Sequence, residues 1–271
     1  MTSWGMARHL AAAVFATMLM GGSALAQTCG NDSSGFENWK AAFLQQAAAR
    51  GTSPRALDAL ARTSYARKTI SADRGQTSFK LSLESFMQKR GANAIVSRGK
   101  TMKKRYASLF DSIERRYGVP AGPLIAIWGM ETGFGGFLGN QHILSAVATL
   151  AYDCRRSEFF TGHLYAALTL IDRGMLNPSA VGAAHGEIGQ TQFLPGNALQ
   201  YGVDGDGNGR VDMIGSAADA LASTANFLRA HGWRAGAGYQ PGEPNFRAIQ
   251  GWNAASVYQQ AIAIMGRQID G

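Results

Sequence analysis

YGVPAGPLIAIWGMETGFGGFLGN, at residues 117–140, predicts a buried helix that ends on a single carboxylate. Pro120 and Pro123 suit the first turn of a helix, where a missing N–H group leaves no hydrogen bond unmade. The residues between Pro123 and Glu131 are apolar or glycine, and the glycines at 133, 135 and 136 stop the helix. We therefore expect one helix that starts near Pro120 and ends just after Glu131.

Glu131 lies on a face of this helix that is otherwise apolar. Leu124, Ile127 and Trp128 share that face with Glu131, because the four residues are spaced i, i+3, i+4 and i+7. Burial and the negative end of the helix dipole would both raise the pKa of the carboxyl. A carboxyl that stays protonated near neutral pH suits a general acid for glycosidic cleavage. The pattern is equally compatible with a Glu131 side chain that turns to solvent or pairs with an arginine.

The composition is that of a globular protein with a sizeable core. The 271 residues are 46% hydrophobic and 16% charged, which suits one or two domains. A formal charge of +8 favours acidic partners such as nucleic acid, anionic lipid or an anionic cell-wall polymer. Lysine and arginine are dispersed, so solubility alone explains the charge equally well.

The first 26 residues match a secretory signal peptide. Arg8 supplies a positive charge, residues 10–20 form an apolar stretch too short to span a bilayer, and residues 24–26 are an Ala-Leu-Ala cleavage site. The residues before Cys29 match a lipoprotein signal poorly. We therefore expect a soluble exported protein, with a cleavable signal and a mature chain that starts near Gln27. No later stretch is apolar and long enough for an integral membrane segment.

The chain has two cysteines, Cys29 and Cys154. An even count in an exported protein favours a disulfide, which would tie the mature N-terminus to the segment after the Glu131 helix. The alternative is two separate thiols. Two cysteines this far apart in the sequence are a poor metal site.

The hydrophobic spacing along the chain is mostly helical, and convincing alternating strand patterns are absent. The predicted fold class is therefore mainly α. Residues 70–98 are more mixed, and residues 179–214, rich in Gly, Asp and Asn, predict loops with a short helix. An apolar stripe from Met102 to Tyr117 predicts one amphipathic helix that leads into the central one. The other predicted helices cover residues 36–50, 54–63, 142–151, 157–173, 216–231 and 253–268.

Residues 204–212, DGDGNGRVD, match the first half of a calcium-binding loop. Oxygen donors fall at loop positions 1, 3 and 5, glycine at 6 and a backbone carbonyl at 7. Position 12, normally glutamate, is Gly215, and Asp219 on the next helix is the candidate replacement. The alternative is a turn that its own side chains stabilise. The predicted ligands of a weakly held Ca²⁺ are Asp204, Asp206, Asn208, Arg210 and Asp219.

Two further stretches carry polar groups that suit a carbohydrate ligand. Residues 187–195, EIGQTQFLP, place two amides and an acid beside an aromatic ring, which suits a saccharide cleft or an ordinary loop-to-helix junction. Arg155 and Arg156 could hold a carboxylate through paired N–H donors, or form a solvated helix start. We find neither a phosphate-binding glycine loop nor a Ser-His-Asp signature. Four histidines without common metal spacing are interpreted as structural: His142, His163, His185 and His231.

Several motifs occur in a fixed order over most of the mature chain. They are YGVP at 117–120, IWGMETGFG at 127–135, ILSAVATLAYDCRRSEFF at 143–160, GEIGQTQFLP at 186–195, VDGDGNGRVDM at 203–213 and NFLRAHGW at 226–233, with weaker matches in WNAASVY at 252–258 and DRGQ at 73–76. Together they resemble the lytic murein transglycosylase B family of bacterial cell-wall enzymes. The number and order of the motifs make the resemblance specific.

The resemblance implies a lysozyme-like helical catalytic core with an α-rich surround and an EF-hand-like loop. It implies cleavage of the MurNAc–GlcNAc β-1,4 bond of peptidoglycan by one carboxyl, where ordinary glycosidases use two. Glu131 would act first as acid and then as base, the muramoyl N-acetyl group would assist, and the C6 hydroxyl would close an anhydromuramyl end without water. No cofactor is then required for the chemistry. A hydrolytic muramidase and a non-catalytic peptidoglycan-binding protein stay open as alternatives.

The resemblance also assigns partners, segments and site residues. The implied partner is the peptidoglycan glycan strand, with no nucleic acid and no membrane segment. After the signal peptide we expect an N-terminal helical part at 27–117, the core at 118–235 and a closing segment at 236–271. Phe159 stands where some relatives of the family have a tyrosine in the cleft. Glu187 stands where others have a small residue. The implied substrate-binding residues are Arg155, Arg156, Glu187, Gln190, Gln192, Phe193, Trp252, Asn253 and Tyr258.

Overall fold

The computed structural model describes residues 28–75 and 81–271, and the predicted signal peptide lies outside these described residues. Within them the chain forms thirteen helices and one two-stranded ribbon. Among the same residues, no helix combines the length and apolar character needed to cross a membrane. The helices are α1 (Phe36–Ala49), α2 (Pro54–Ala61), α3 (Arg67–Arg74), α4 (Leu83–Arg90), α5 (Ala92–Arg105), α6 (Ala107–Tyr117), α7 (Ala121–Thr132), α8 (Ile143–Tyr152), α9 (Ser157–Asp172), α10 (Pro195–Tyr201), α11 (Ala217–Ala230), α12 (Phe246–Trp252) and α13 (Ser256–Asp270), and the strands are β1 (Gln141–His142) and β2 (Val181–Gly182).

Helix α7 is the predicted central helix, and every one of its residues except Glu131 is buried. Pro120 precedes its first turn, and Gly133 ends it in the left-handed conformation with φ of 58°. Helices α5 and α13 pack along it. A Cβ on Gly122 would lie 2.2 Å from the carbonyl oxygen of Gly266, so glycine at these positions lets the backbones of α7 and α13 touch. The sequence prediction for this helix is confirmed.

The N-terminal segment is joined to the end of α8 by the predicted disulfide. Cys29 and Cys154 form the bridge, with a Cα–Cα distance of 4.9 Å. Two backbone hydrogen bonds flank the bridge. The N–H of Gly30 donates to the carbonyl of Tyr152, and the N–H of Cys154 donates to the carbonyl of Gly30. Helix α1 then packs against α8 and α2. The pairing of the two cysteines is therefore confirmed.

The prediction of one unbroken helix from Met102 to Tyr117 is wrong. Helix α5 ends at Arg105, Tyr106 leaves the helical conformation with φ −111° and ψ 30°, and α6 follows. The break brings the ring of Tyr106 edge-on to Trp128, with centroids 5.8 Å apart. The apolar residues keep their helical spacing across the break, so periodicity alone did not show it.

The C-terminal helices differ from the prediction in extent. Helix α12 was not predicted, and α13 begins at Ser256 instead of Asn253. Asn253 has extended backbone, and its side-chain oxygen accepts a hydrogen bond from the N–H of Ala255 at 2.9 Å. This local bond competes with helix formation, so Asn253 ends the connection from α12 instead of starting α13.

The two-residue strands connect the loop after α7 to the segment that precedes residues 187–195, EIGQTQFLP. Gln141 pairs with Gly182 and His142 with Val181, in antiparallel register. A further antiparallel bridge joins Ile188 to Phe193. These contacts place residues 183–193 beside the C-terminal end of α7, which is where the carboxyl of Glu131 lies.

Candidate active site

Glu131 stands in the last turn of α7 and faces a cleft of about 210 Å³. The cleft brings together residues that lie more than a hundred positions apart in the sequence. Five of the predicted site residues line it with Glu131, and Leu194, Asn197 and Phe227 join them. The full lining is Glu131, Glu187, Gln192, Phe193, Leu194, Asn197, Phe227, Trp252 and Asn253.

The carboxyl of Glu131 faces the cleft, and among residues 28–75 and 81–271 it has no ion-pair partner. Tyr258, which is buried, donates its hydroxyl to Oε1 of Glu131 at 2.5 Å. Burial raises the pKa of Glu131 from 4.5 to about 7, and the negative charge of Glu187 adds to the rise. Hydrogen bonds from Tyr258 and Trp252 and the positive charge of Arg90 oppose it. Much of this carboxyl therefore carries its proton at neutral pH.

The GQTQ segment, residues 189–192, carries two amide side chains that have different surroundings. Gln192 lines the cleft, and its Nε2 donates to the carbonyls of Gly189 at 2.7 Å and Leu138 at 3.3 Å. Its backbone has φ of 57°, a left-handed conformation that side-chain-bearing residues rarely adopt and that is common at functional sites. Gln190 is buried instead and bonds Trp128 through Oε1 and the carbonyl of Ile214 through Nε2. Its amide thus connects α7 to the loop before α11.

Aromatic rings form one wall of the cleft. Trp252 stands edge-on to Phe193 and Phe227, with centroids 5.1 Å from each. Sequence reasoning identified Phe193 and Trp252 but missed Phe227, which sits in an ordinary helical stripe of α11. It also missed Asn197, an amide in the first turn of α10 that directly follows the GQTQ segment.

An ion-pair cluster around the buried carboxylate of Asp73 is linked to the cleft through His185. The carboxylate of Asp73 pairs with both Arg155 and Arg156 and lies 3.6 Å from Nε2 of His185. Nδ1 of His185 is 3.0 Å from Oε1 of Glu187, which lines the cleft. The two arginines predicted to bind substrate are therefore tied to a protein carboxylate, although 47% and 40% of their side chains stay exposed. Sequence reasoning missed Asp73, within the DRGQ motif, and interpreted His185 as structural.

Phe159, which replaces the cleft tyrosine of some relatives, lies at the start of α9 and is 53% exposed. Its ring stands edge-on to His163, with centroids 4.5 Å apart. His163 also accepts a hydrogen bond from the N–H of Gly196 through Nδ1 at 3.0 Å. Phe159 therefore adds apolar surface, without a hydroxyl, at the start of the helix that follows Arg155 and Arg156.

The calcium-like loop brings three carboxylates together. One oxygen each from Asp204, Asp206 and Asp219 lies within 4.8 Å of the others. Asp219 is fully buried, and it accepts backbone N–H groups of Gly205 at 2.8 Å and Asp212 at 2.6 Å. The side-chain oxygen of Asn208 accepts from the N–H of Arg210, whose side chain is exposed. The donor set is all oxygen and suits a hard divalent cation.

The sequence matches known proteins over most of its length. Residues 35–241 match a family described as the transglycosylase SLT domain. Membrane-bound lytic murein transglycosylase B of Escherichia coli K12 is 34% identical over 159 residues, which are 55% of this chain and 44% of that protein. The match thus spans less than half the length of this curated relative.

Solved structures share the fold. SltB3 from Pseudomonas aeruginosa, in complex with NAG-anhNAM-pentapeptide, is 31% identical with a TM-score of 0.80, covering 87% of this chain and 80% of that one. Lytic transglycosylase Slt35 from Escherichia coli, in complex with calcium, is 22% identical with a TM-score of 0.77, covering 90% and 96%. The predicted mainly α, lysozyme-like helical fold is confirmed.

Proposed function

Because this chain belongs to the transglycosylase SLT domain family, we propose that it is a peptidoglycan lytic transglycosylase with Glu131 as its catalytic acid and base. The observation that carries the proposal is the Glu131 carboxyl, which faces the cleft, is held by Tyr258 and has a pKa raised to about 7. The anhydromuramyl fragment bound to SltB3 supports a cyclised product. The curated relative supports murein as the substrate.

The mechanism starts with the proton on Glu131. The carboxyl protonates the glycosidic oxygen between MurNAc and GlcNAc as the bond breaks, while the acetamide oxygen of MurNAc attacks the anomeric carbon. The resulting Glu131 carboxylate then removes the proton of the C6 hydroxyl, which closes on that carbon. A pKa near the operating pH suits both steps, because the group must first give and then take a proton. No water is consumed.

The other cleft residues bind and orient the glycan in this proposal. Trp252 offers a ring face to sugar, with the buried ring of Phe193 packed edge-on against it. Gln192 and Asn253 offer amide groups to the hydroxyl and acetamide groups of the sugar. Tyr258 orients the Glu131 carboxyl. Gln190 acts by holding α7 in place. The exposed N–H groups of Arg155 and Arg156 suit a carboxylate of the substrate's lactyl group or peptide stem.

Digestion of purified peptidoglycan in heavy-oxygen water, read by mass spectrometry, tests the reaction. We expect released muropeptides with unlabelled anhydromuramyl ends. Labelled reducing ends would instead identify a hydrolytic muramidase. Glycan binding by a folded protein without soluble products would identify a non-catalytic binding protein.

The periplasm is the proposed site of action, since peptidoglycan lies there and residues 1–26 match a cleavable signal peptide. The segment boundaries at 27–117, 118–235 and 236–271 stay predictions. Helix α13, in the closing segment, packs on α7 and supplies Tyr258 to the site. We therefore expect the closing segment to be needed for activity.

We also propose that the loop at residues 204–212 binds a structural calcium ion, with Asp219 in place of the usual glutamate. The calcium complex of Slt35 supports such a site in this fold. Asp204, Asp206, Asn208 and Asp219 would supply side-chain oxygens, and Arg210 a backbone carbonyl. The ion would stabilise the loop before α11 and would take no part in the chemistry.

Calcium is expected to raise the thermal unfolding midpoint of the protein. At a calcium concentration a hundred times the dissociation constant, the gain would be about 2.7 kcal/mol. Asp206→Asn keeps the size of an exposed ligand but removes its charge, so the calcium-dependent rise should shrink. Asp58→Asn, an exposed carboxylate on α2, is the matched control. A midpoint that is the same in calcium and in chelator would contradict the proposed ion site.

A further inference from the structure

The cleft contains a second carboxylate, Glu187, in surroundings opposite to those of Glu131. Oε1 of Glu187 lies 3.0 Å from Nδ1 of His185, and Oε2 accepts the backbone N–H of His185 at 2.8 Å. Burial alone would raise the pKa of Glu187, but the hydrogen bonds and charge of His185 together hold it below the ordinary value. The pKa of one cleft carboxyl is thus raised and that of the other is lowered, an arrangement that separates the roles of acid and anion in many active sites.

On the side away from Glu187, the His185 ring faces the carboxylate of Asp73. Nε2 of His185 is buried, has no hydrogen-bond partner within the described residues, and lies 3.6 Å from Oδ1 of Asp73. Only 3% of the Asp73 side chain is exposed, and its charge is balanced by Arg155 and Arg156. A row of charged and polar groups therefore runs from the surface arginines through Asp73 and His185 to Glu187 at the cleft.

On the basis of the proposed function, we propose that Glu187 is a second catalytic residue, an anion that accepts the acetamide N–H of the reacting MurNAc and stabilises its developing positive charge. His185 and Asp73 are the positioning residues that hold it there. A carboxylate has about four acceptor sites, so the two bonds from His185 leave capacity for the acetamide. Glu187 lines the same cleft as Glu131, and its charge acts on the Glu131 carboxyl, so both can act on one bound glycan.

The charge balance of the reaction explains why an anion helps. Glu131 gives its proton to the leaving glycosidic oxygen, which keeps the electron pair of the broken bond. The acetamide oxygen bonds to the anomeric carbon, and the ring that forms carries one positive charge, shared with the acetamide nitrogen. When the C6 oxygen displaces the acetamide oxygen, its proton passes to Glu131 and the charge disappears. Glu187 keeps its negative charge throughout, so it stabilises the cationic stage and binds no water.

The test compares Glu187→Gln with the wild-type mature chain on peptidoglycan. We expect turnover to fall by about 10²-fold with little change in KM, as when one preorganised electrostatic group is removed from other active sites. The products should still carry anhydromuramyl ends. Asp73→Asn and His185→Gln should give smaller losses in turnover. Glu114→Gln, the same change on the exposed surface of α6, is the matched control.

The pH profile separates a catalytic role from a merely structural one. The charged groups that act on Glu131 are Glu187, which raises its pKa, and Arg90, which lowers it, while the Tyr258 hydroxyl also lowers it. Activity requires protonated Glu131 and falls as pH rises through its pKa. Glu187→Gln should therefore shift this fall to lower pH, and Tyr258→Phe should shift it to higher pH.

The outcomes distinguish this inference from the proposed function. If the wild-type chain releases no muropeptides, the proposed function itself fails. If the wild type is active and Glu187→Gln matches it in turnover, the inference alone fails. A loss confined to KM would make Glu187 a binding residue only, and labelled reducing ends in heavy-oxygen water would make it a base for water. Circular dichroism and thermal unfolding check that each variant is folded.

Discussion

Replacing Glu131 with glutamine is expected to reduce the release of anhydromuropeptides by about 10³-fold or more. Glutamine has the size of glutamate and can accept the hydroxyl of Tyr258, but it has no proton to give to the glycosidic oxygen and cannot remove one from the C6 hydroxyl. The measurement is the initial rate of release from purified peptidoglycan, with Glu114→Gln as the control for the same change at the surface.

The fold should survive this substitution. The pKa of Glu131 is raised in the folded protein, so the folded state resists loss of its proton and stability is lost as pH rises above the unfolded value. A neutral amide does not ionise, so the variant does not lose this stability as pH rises. The unfolding midpoint of Glu131→Gln should therefore equal or exceed that of the wild type at pH 8. Unchanged turnover in a folded variant would remove Glu131 from the mechanism.

Removing the disulfide is expected to lower the free energy of unfolding by about 2–5 kcal/mol. The bridge joins cysteines 125 positions apart, and in the chain-entropy model a loop of this length restricts the unfolded chain strongly. The double variant Cys29→Ser with Cys154→Ser removes the bridge without leaving a free thiol. Denaturant unfolding at neutral pH gives the difference.

A reductant provides the control for this effect. It should lower the stability of the wild-type chain towards that of the double variant and leave the double variant unchanged. Asp153 and Arg155, on either side of Cys154, pair with Arg74 and Asp73, so the bridge also anchors the segment that carries these ion pairs. Equal stability of the oxidised wild type and the double variant would show that the bridge does not stabilise the fold.

The central helix could be predicted because its signals are local. Pro120 before its first turn, an unbroken apolar run and Gly133 after its end all act within a few residues of the backbone they shape. The same holds for helix α2, where the hydroxyl of Ser53 accepts the N–H of Ala56 as its position before Pro54 predicts. The break at Tyr106 was missed, because the ring contact that accompanies it is with Trp128 on another helix.

The sequence by itself determined the helical class, the carboxyl of Glu131 on an apolar face, the pairing of the two cysteines and the oxygen-rich loop, since each follows from spacing or composition. The tertiary structure decided which groups act on Glu131. Tyr258 comes from a helix 127 positions away, and Asp73 meets Arg156 across 83 positions. No local pattern encodes such contacts, because chain folding alone brings these side chains together, and burial there sets the pKa of Glu131.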